Sequence, residues 1–292
     1  MPRMQRRPLL ALAASLAATP LAALAAKSKN TPDFAALERR AHGQLGFFAL
    51  DTGSGRTLSN RADQRFAIAS AFKILLAARV AHGVDSGRWT WEDTVELNER
   101  DRVPHSPAFD RLLPRGRATL AELVRGILVE SDNPSANLLL RRCCDTPAGL
   151  TAWLREQGDT VTRLDRWEIE LNENAPGDPR DTTTPRAFAR SLQHLLLGPA
   201  LSRASQARLW ADMQATQIGA ARLKAGAPAG WRVLDRTGSG NRGSINDVAL
   251  VFPPGARAPW VVVAMQSGSE DPLDDLAAVL ASAMKQLVHA WG

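Results

Sequence analysis

The spacing of apolar residues changes along this chain, and that change limits the possible folds more than any other feature. Near both ends apolar residues have strand-like patterns, in residues 45–51 and in residues 231–236, 246–252 and 260–267. In the middle of the chain they recur at the three-to-four-residue spacing of helices. We therefore expect an antiparallel sheet built from both termini, with the terminal helices packed on it and a helical region inserted between.

The predicted fold class is α/β, in an α+β sandwich arrangement. Residues 27–68 and 216–292 are expected to form an α/β domain, and residues 69–215 an all-helical domain. Because small-molecule sites commonly lie between domains, we expect the functional site in the cleft that separates them.

The first 26 residues have the composition of an export signal. Three arginines precede an apolar run over residues 8–22, and small residues at Ala25 and Ala26 offer a cleavage point. We expect this segment to be removed and the mature protein to be periplasmic, with no membrane span. The general and the twin-arginine export routes both stay open.

Charge and cysteine content exclude several classes of function. The formal net charge is +6, and the arginines of the signal segment supply half of it. The remaining basic residues alternate with acids, so no nucleic-acid partner is predicted. Cys143 and Cys144 are adjacent, which disfavours an ordinary disulfide, and no metal-ligand spacing occurs. We expect a monomer without a cofactor or a metal, acting on a small molecule.

A buried helix over residues 66–80 is predicted to carry two polar residues, Ser70 and Lys73. Three residues apart on a helix, they share one face. If Ser70 begins the helix, its backbone N–H is free to bind an anion. A nucleophile, a proton acceptor and half of an oxyanion hole would then lie together. The motif alone does not decide the function, because Ser282 and Lys285 repeat the spacing in a plain amphipathic stretch.

A polar segment interrupts the helical pattern between residues 164 and 184. Long loops inside compact domains are uncommon unless they are functional. Arg166 and Asp181, near its two ends, are predicted to close it as a bidentate ion pair. Glu168 and Glu170 are its candidate catalytic acids.

Two shorter segments supply further hydroxyl and amide groups. The turn Ser131-Asp132-Asn133 follows one predicted helix and precedes another, and Arg236-Thr237-Gly238-Ser239-Gly240 ends a predicted strand. Taken singly, each is typical of a turn.

Taken together, in this order and spacing, these segments resemble the class A serine β-lactamases, whose motif set joins S-x-x-K to S-D-N and K-T-G. The resemblance covers nearly the whole mature chain. It extends to Val103-Pro104-His105-Ser106-Pro107, Ala136-Asn137-Leu138-Leu139-Leu140, Asp181-Thr182-Thr183 and Asn246-Asp247.

The resemblance implies hydrolysis of the β-lactam amide through an acyl-enzyme. Ser70 would attack the ring carbonyl, and the backbone N–H groups of Ser70 and Ser239 would hold the oxyanion. Ser131 would pass a proton to the leaving nitrogen. Glu168, with a water held by Asn172, would release the acyl group, and the E-x-x-L-N spacing favours it over its neighbouring acid.

The remaining roles also come from the resemblance. Asn133 would hydrogen-bond the side-chain amide of the substrate, and Thr237 and Ser239 its ring carboxylate. Whether Lys73 or Glu168 takes the serine proton is disputed for the family and stays open here.

Three positions depart from the usual pattern. Arg236 replaces the usual lysine, which resembles the carbenicillin-hydrolysing subgroup and predicts a penicillinase. Ile245 stands where many members have an arginine, and Arg222, in Gly-Ala-Ala-Arg, is the candidate replacement. His105 occupies an entrance position that is often aromatic and is expected to stack on the substrate.

Two other functions share this machinery. A penicillin-binding D,D-peptidase would acylate and release slowly, and a β-lactam-sensing domain would stay acylated. Glu168 and the lack of an anchor after the signal segment favour a hydrolase over both.

Overall fold

The computed structural model describes residues 31–255 and 257–292. Its largest sheet has five strands in the order β2-β1-β9-β8-β7, and each neighbouring pair is antiparallel. These strands are β1 Gln44–Asp51, β2 Thr57–Asn60, β7 Arg232–Ser239, β8 Ile245–Phe252 and β9 Trp260–Ser267. The predicted antiparallel sheet from both termini, with flanking helices, is therefore confirmed.

Ten α-helices occur in the described ranges. They are α1 Phe34–Arg40, α2 Phe72–Asp85, α3 Pro107–Leu112, α4 Leu120–Arg125, α5 Asn133–Cys144, α6 Pro147–Glu156, α7 Pro185–Leu192, α8 Arg203–Gln214, α9 Leu223–Gly226 and α10 Leu273–Trp291. The single turns of π-helix Gly126–Glu130 and Gln193–Leu197 extend α4 and α7.

Four short strands lie between β2 and β7. Phe66–Ala67 (β3) pairs with Thr182–Thr183 (β6), and Thr94–Glu96 (β4) pairs with Arg117–Thr119 (β5). The inserted region therefore contains short strands, and the prediction that it is all-helical is wrong in this respect. Strands of two or three residues are too short for an alternating pattern to reveal them.

The predicted helix over residues 66–80 begins later than expected. Its first two residues are strand β3, a 3₁₀ turn covers Ala69–Ala71, and α2 starts at Phe72. The backbone N–H of Ile68 donates to the Asp181 carbonyl oxygen at 2.8 Å. Tertiary pairing with the end of the polar loop therefore overrides the local helical preference of the apolar run.

The large sheet separates two hydrophobic clusters. On β9, Val261 and Val263 face the helical region, while Trp260 and Val262 face α1 and α10. This alternation follows from the two-residue period of a strand. Helix α2 is buried along most of its length, so a polar side chain on it is held among packed neighbours.

The signal segment and its cleavage point lie outside the described residues. No helix in the described ranges is long and apolar enough to cross a membrane. Cys143 and Cys144 are both free thiols, and burial raises the pKa of Cys143 to about 11 and that of Cys144 to about 12. The domain boundaries after residues 68 and 215 stay a prediction.

Candidate active site

Lys73 lies at the centre of the candidate site, on the first turn of α2, and its side chain is fully buried. Its Nζ atom is 2.8 Å from Ser70 Oγ and 2.5 Å from Asn133 Oδ1. The same atom is 2.8 Å from the Ser131 carbonyl oxygen and 2.9 Å from Glu168 Oε1. One amine thus contacts groups from the 3₁₀ turn before α2, the Ser131 turn, the start of α5 and the polar loop.

The pKa of Lys73 is lowered to about 8. Burial of the ammonium group is the largest cause, and the positive charge of Arg236 acts in the same direction. The carboxylate of Glu168 opposes both by stabilising the charged amine. Lys73 therefore gives up its proton more readily than an ordinary lysine.

The turn before α5 is held rigidly. Ser131 has a left-handed backbone, with φ of 60° and ψ of 30°. The buried side chain of Asp132 accepts hydrogen bonds from the backbone N–H groups of Ser135 and Phe109. Asn133 Nδ2 donates to the Pro104 carbonyl oxygen at 2.8 Å. This bond turns the amide oxygen of Asn133 toward Lys73.

Arg166 and Asp181 join the two ends of the polar loop, with Arg166 Nε 2.6 Å from Asp181 Oδ2. The predicted bidentate pair is wrong in one respect, since only one guanidinium nitrogen bonds the carboxylate. Asp181 Oδ1 instead accepts the backbone N–H groups of Asp165 and Arg166. Arg166 Nη1 donates to Glu173.

Glu168 projects from this loop onto the nucleophile. Ser70 Oγ donates to Glu168 Oε1 at 3.1 Å, and Asn172 Nδ2 donates to Glu168 Oε2 at 2.7 Å. Glu168 is 2% exposed, whereas Glu170 is exposed. Of the two candidate acids, only Glu168 is in contact with Ser70.

Asn137 positions Glu168, a role that the sequence patterns do not predict. Its Oδ1 accepts from the Glu168 backbone N–H at 3.0 Å, and its Nδ2 donates to the Glu168 carbonyl oxygen at 2.8 Å. The sequence did contain an indication of this role, because Asn137 follows Asn133 by four residues and therefore lies on the same face of α5.

Strand β7 closes the site opposite the polar loop. Arg236 is fully buried, donates through Nη2 to Ser131 Oγ, and has two nitrogens, Nε and Nη1, without a partner in the described ranges. Burial lowers its pKa to about 10. A Cβ atom at Gly238 would lie 3.0 Å from both Ala71 N and Ile68 O. Glycine therefore lets β7 approach the Ser70 turn closely.

Arg222 reaches the end of β7 from the segment before α9. Its Nη2 donates to Ser239 Oγ at 2.7 Å, and its Nη1 donates to the carbonyl oxygens of Gly238 and Asn246 at 2.8 and 2.6 Å. Thr237, between Arg236 and Gly238, is buried, and Ser239 is exposed. A guanidinium group thus lies beside the segment predicted to bind a carboxylate.

His105 lies at the edge of this arrangement and is exposed. Its Nε2 is 2.8 Å from the Glu130 carbonyl oxygen, and its own carbonyl oxygen accepts the backbone N–H of Asn133. The second serine–lysine pair lies elsewhere, on α10, where Ser282 Oγ donates to the Ala278 carbonyl oxygen.

Comparison with known proteins shows the family of this chain. A family model described as the β-lactamase enzyme family matches residues 30–291. The chain is 41% identical to the β-lactamase AST-1 of Nocardia asteroides, over 89% of this chain and 83% of that protein. An ancestral class A β-lactamase structure superposes with a TM-score of 0.87 at 47% identity, covering 90% of this chain and all of the other. The chain belongs to the class A β-lactamases.

A second relative of this β-lactamase is the carbapenem-hydrolyzing β-lactamase KPC of Klebsiella oxytoca, 41% identical over 89% of this chain and 88% of that protein. Class A β-lactamases are hydrolases, so the prediction of an enzyme is confirmed. The alternatives of a D,D-peptidase and a β-lactam-sensing domain are set aside.

The buried contacts of this β-lactamase give a stability prediction. We expect Asp181→Ala to lower the free energy of unfolding by about 3 kcal/mol, because it leaves Arg166 and two backbone N–H groups without their acceptor. Arg180→Ala is the control, because Arg180 is half-exposed in its pair with Asp178, and it is expected to change nothing measurable. Urea unfolding curves test both, and a midpoint for Asp181→Ala equal to that of the wild type would contradict the account.

Proposed function

We propose that this β-lactamase opens penicillins, carbenicillin among them, through an ester on Ser70. The observation that supports this most is the position of Glu168, in contact with Ser70 Oγ, Lys73 Nζ and Asn172 Nδ2 at once. A chromogenic cephalosporin assay tests the turnover. Sustained hydrolysis supports the proposal, and a burst of one equivalent that then stops contradicts it.

Acylation begins with attack of Ser70 Oγ on the ring carbonyl carbon. The serine proton has two acceptors within reach, Lys73 Nζ at 2.8 Å and Glu168 Oε1 at 3.1 Å. The oxyanion lies between the backbone N–H groups of Ser70 and Ser239, and removal of one such donor typically costs about 3 kcal/mol in barrier height. The close approach at Gly238 supports this pairing of the two segments.

Ser131 then passes a proton to the leaving nitrogen. Its Oγ is 3.2 Å from Lys73 Nζ and also accepts from Arg236 Nη2. A hydroxyl between two cations releases its proton easily and can recover one from Lys73. The left-handed turn that presents Ser131 keeps this hydroxyl fixed during the transfer.

Deacylation uses Glu168 as general base and Asn172 to hold the attacking water. A positioned base contributes about 10²–10⁴-fold to such a step. The hydrogen bonds from Asn137 to the backbone of Glu168 fix the carboxylate at the distance that the reaction requires.

Substrate recognition uses groups on both sides of the cleft. Arg236 offers its positive charge to the substrate carboxylate, with Nε and Nη1 unpaired among the described residues, and Thr237 and Ser239 add hydroxyl donors. Arg222 supplies a second positive charge beside Ser239. Across the cleft Asn133 holds the side-chain amide of the substrate, and His105 stacks on its side chain.

Arg236 yields a prediction about specificity. We expect kcat/KM for carbenicillin to be within about tenfold of that for benzylpenicillin. The Arg236 guanidinium has further N–H donors for the additional carboxylate of carbenicillin, and a charged hydrogen bond contributes about 1.5–3 kcal/mol. Arg236→Lys should reduce kcat/KM for carbenicillin more than that for benzylpenicillin. Steady-state kinetics measure both. Carbenicillin turnover far below that of benzylpenicillin in the wild type would contradict the subgroup assignment.

The pKa of Lys73 yields a prediction about pH. Lys73 loses its proton as the pH rises through about 8, so an acylation that uses neutral Lys73 speeds up over that range. In Glu168→Gln the midpoint should move to lower pH, because the Glu168 carboxylate raises the pKa of Lys73. Stopped-flow acylation rates from about pH 6.5 to about pH 9.5, a range of roughly 1.5 units either side of the midpoint, test this. A flat profile in both proteins would show that neutral Lys73 is not the acceptor.

We also propose that the protein acts in the periplasm after removal of a signal segment near Ala25 or Ala26. The basic head and apolar run at the start of the sequence support this. A pulse-labelled precursor should shorten and appear in the fraction released by osmotic shock. A precursor that keeps its full length in the cytoplasm would contradict the proposal.

A further inference from the structure

A groove lies where α8 and the π-helical turn after α7 meet the large sheet at the end of β8. Its volume is about 630 Å³, which is within the range of roughly 300–1,000 Å³ that small-molecule sites occupy. None of the residues that line it belongs to the candidate active site. Here it is called the arginine groove, and its defining residues are Arg190, His194, Leu197, Arg203, Trp210 and Phe252.

The floor of the arginine groove is apolar. Leu197, Trp210 and Phe252 are partly buried and pack against the core. The rings of Trp210 and Phe252 meet edge to face, with centroids 5.3 Å apart and planes at 63°. The Arg232 guanidinium lies 4.1 Å over the Phe252 ring and 6.0 Å from the Trp210 ring centroid. An alkyl chain laid along the remaining apolar surface of these side chains would be removed from water.

The rim of the arginine groove is basic. Arg190, Arg203 and His194 line it, and no aspartate or glutamate does. Within the part of the chain that the structure describes, the Arg190 side chain forms no hydrogen bond or ion pair, although its charge helps to lower the pKa of Asp63. The Arg203 side chain donates only to Gln206 Oε1 at 3.1 Å. Two guanidinium groups that form no ion pair with any described residue thus border an apolar floor, which is the complement of an amphiphilic anion.

Trp210 carries a further unused donor. Its Nε1 is buried and has no acceptor among the described residues. Buried indole N–H groups normally have an acceptor. An oxygen atom in the groove would reach this one only after a movement of the Trp210 side chain, because the protein encloses the Nε1 atom.

An adjoining cavity of about 280 Å³ shares Arg190 and His194 with the groove. It contains one acid, Asp159, whose carboxylate already accepts from Ser191 Oγ at 2.7 Å and from the Val161 backbone N–H at 2.9 Å. Asp159 is therefore hydrogen-bonded within the protein, and no ion pair joins it to Arg190 or Arg203 in the described ranges.

We propose that the arginine groove binds a medium-chain carboxylate such as dodecanoate. The carboxylate lies between Arg190 and Arg203, and the alkyl chain covers Leu197, Trp210 and Phe252. An inorganic anion would leave the floor uncovered, and a neutral lipid would leave the guanidinium groups unpaired. The site is separate from β-lactam hydrolysis.

Calorimetric titration of the purified protein with dodecanoate tests the proposal. We expect saturable binding of one molecule, with acetate and dodecanol binding at least about tenfold more weakly, a difference of about 1.4 kcal/mol for each. If acetate bound as tightly as dodecanoate, charge alone would account for binding, and the proposal would be contradicted. If dodecanol bound as tightly, apolar contact alone would account for it, and the proposal would again be contradicted. Binding to phosphatidylglycerol vesicles without binding of free dodecanoate would replace the proposal with a membrane contact.

Two substitutions locate the site. Arg190→Ala and Arg203→Ala should each raise the Kd for dodecanoate about tenfold. Arg208→Ala is the matched control, because Arg208 is on the same helix as Arg203 but lies 4.5 Å over the Trp91 ring, outside the groove. Equal loss in all three variants would overturn the assignment.

Brominated dodecanoate, which quenches nearby indoles, gives a second measurement. It should quench tryptophan fluorescence in the wild type, and Trp210→Phe should abolish that part of the quenching. Unchanged quenching in Trp210→Phe would place the ligand elsewhere. The comparison of the three ligands uses the unaltered protein and holds even if a variant fails to fold.

Discussion

Glu168→Gln is expected to acylate at close to the wild-type rate and then to release its product about 10³-fold more slowly. Glutamine keeps the shape of the side chain and its contact with Asn172 but cannot accept a proton from water. The Ser70 ester then persists, because Lys73 can still accept the serine proton during acylation, whereas deacylation has lost its general base.

The control for this prediction is the second acid of the same loop. Glu170 is two residues away and exposed, so Glu170→Gln removes the same charge from the loop without touching Ser70. We expect its steady-state rate to stay within about twofold of the wild type, as for other exposed substitutions. Stopped-flow absorbance resolves the burst from the slow phase. A Glu168→Gln protein with undiminished steady-state turnover would contradict the role of Glu168.

Ser70→Ala is expected to lose at least about 10⁴-fold in kcat and to form no covalent adduct. The loss should be this large because no other hydroxyl takes its place: the Oγ of Ser131 is engaged by both Lys73 and Arg236.

The sequence itself provides the matched control. Ser282 precedes Lys285 at the same spacing, but its Oγ donates to the Ala278 carbonyl oxygen at 2.7 Å and accepts from Arg40 at 3.2 Å, away from the cleft. Ser282→Ala should hydrolyse penicillins at the wild-type rate. If instead Ser70→Ala kept its turnover and Ser282→Ala lost it, the second serine–lysine pair would be the active one.

Sequence patterns located the long elements well because local composition determines them. Strand β9 was predicted over its observed range of residues 260–267, since Pro253, Pro254 and Gly255 begin the turn before it and the strand is rich in β-branched residues. Helix α8 begins where a local signal starts it, since Ser202 caps its first turn by accepting the backbone N–H of Ser205.

The features that the sequence patterns did not predict depend on residues that are far away in the chain. Strand β3 exists only because Thr182 and Thr183, more than a hundred residues later, pair with it. The Arg166–Asp181 pair uses one nitrogen because two backbone N–H groups compete for the carboxylate. Nothing in the local sequence reports such competition.

The candidate site shows the same difference between features that the local sequence determines and features that depend on the fold. The spacing of Ser70, Lys73 and Glu168 along the chain was informative, but the role of Asn137 required the fold, because its partners belong to the backbone of a loop about thirty residues away.

Intact-protein mass spectrometry of the wild type and of Glu168→Gln, each mixed with benzylpenicillin, tests the central claim most directly. We predict that Glu168→Gln gains the mass of one penicillin on Ser70 and keeps it for hours, while the wild type is unmodified once the drug is consumed. Failure of Glu168→Gln to retain any adduct, with the drug still hydrolysed, would contradict a Ser70 ester released by Glu168.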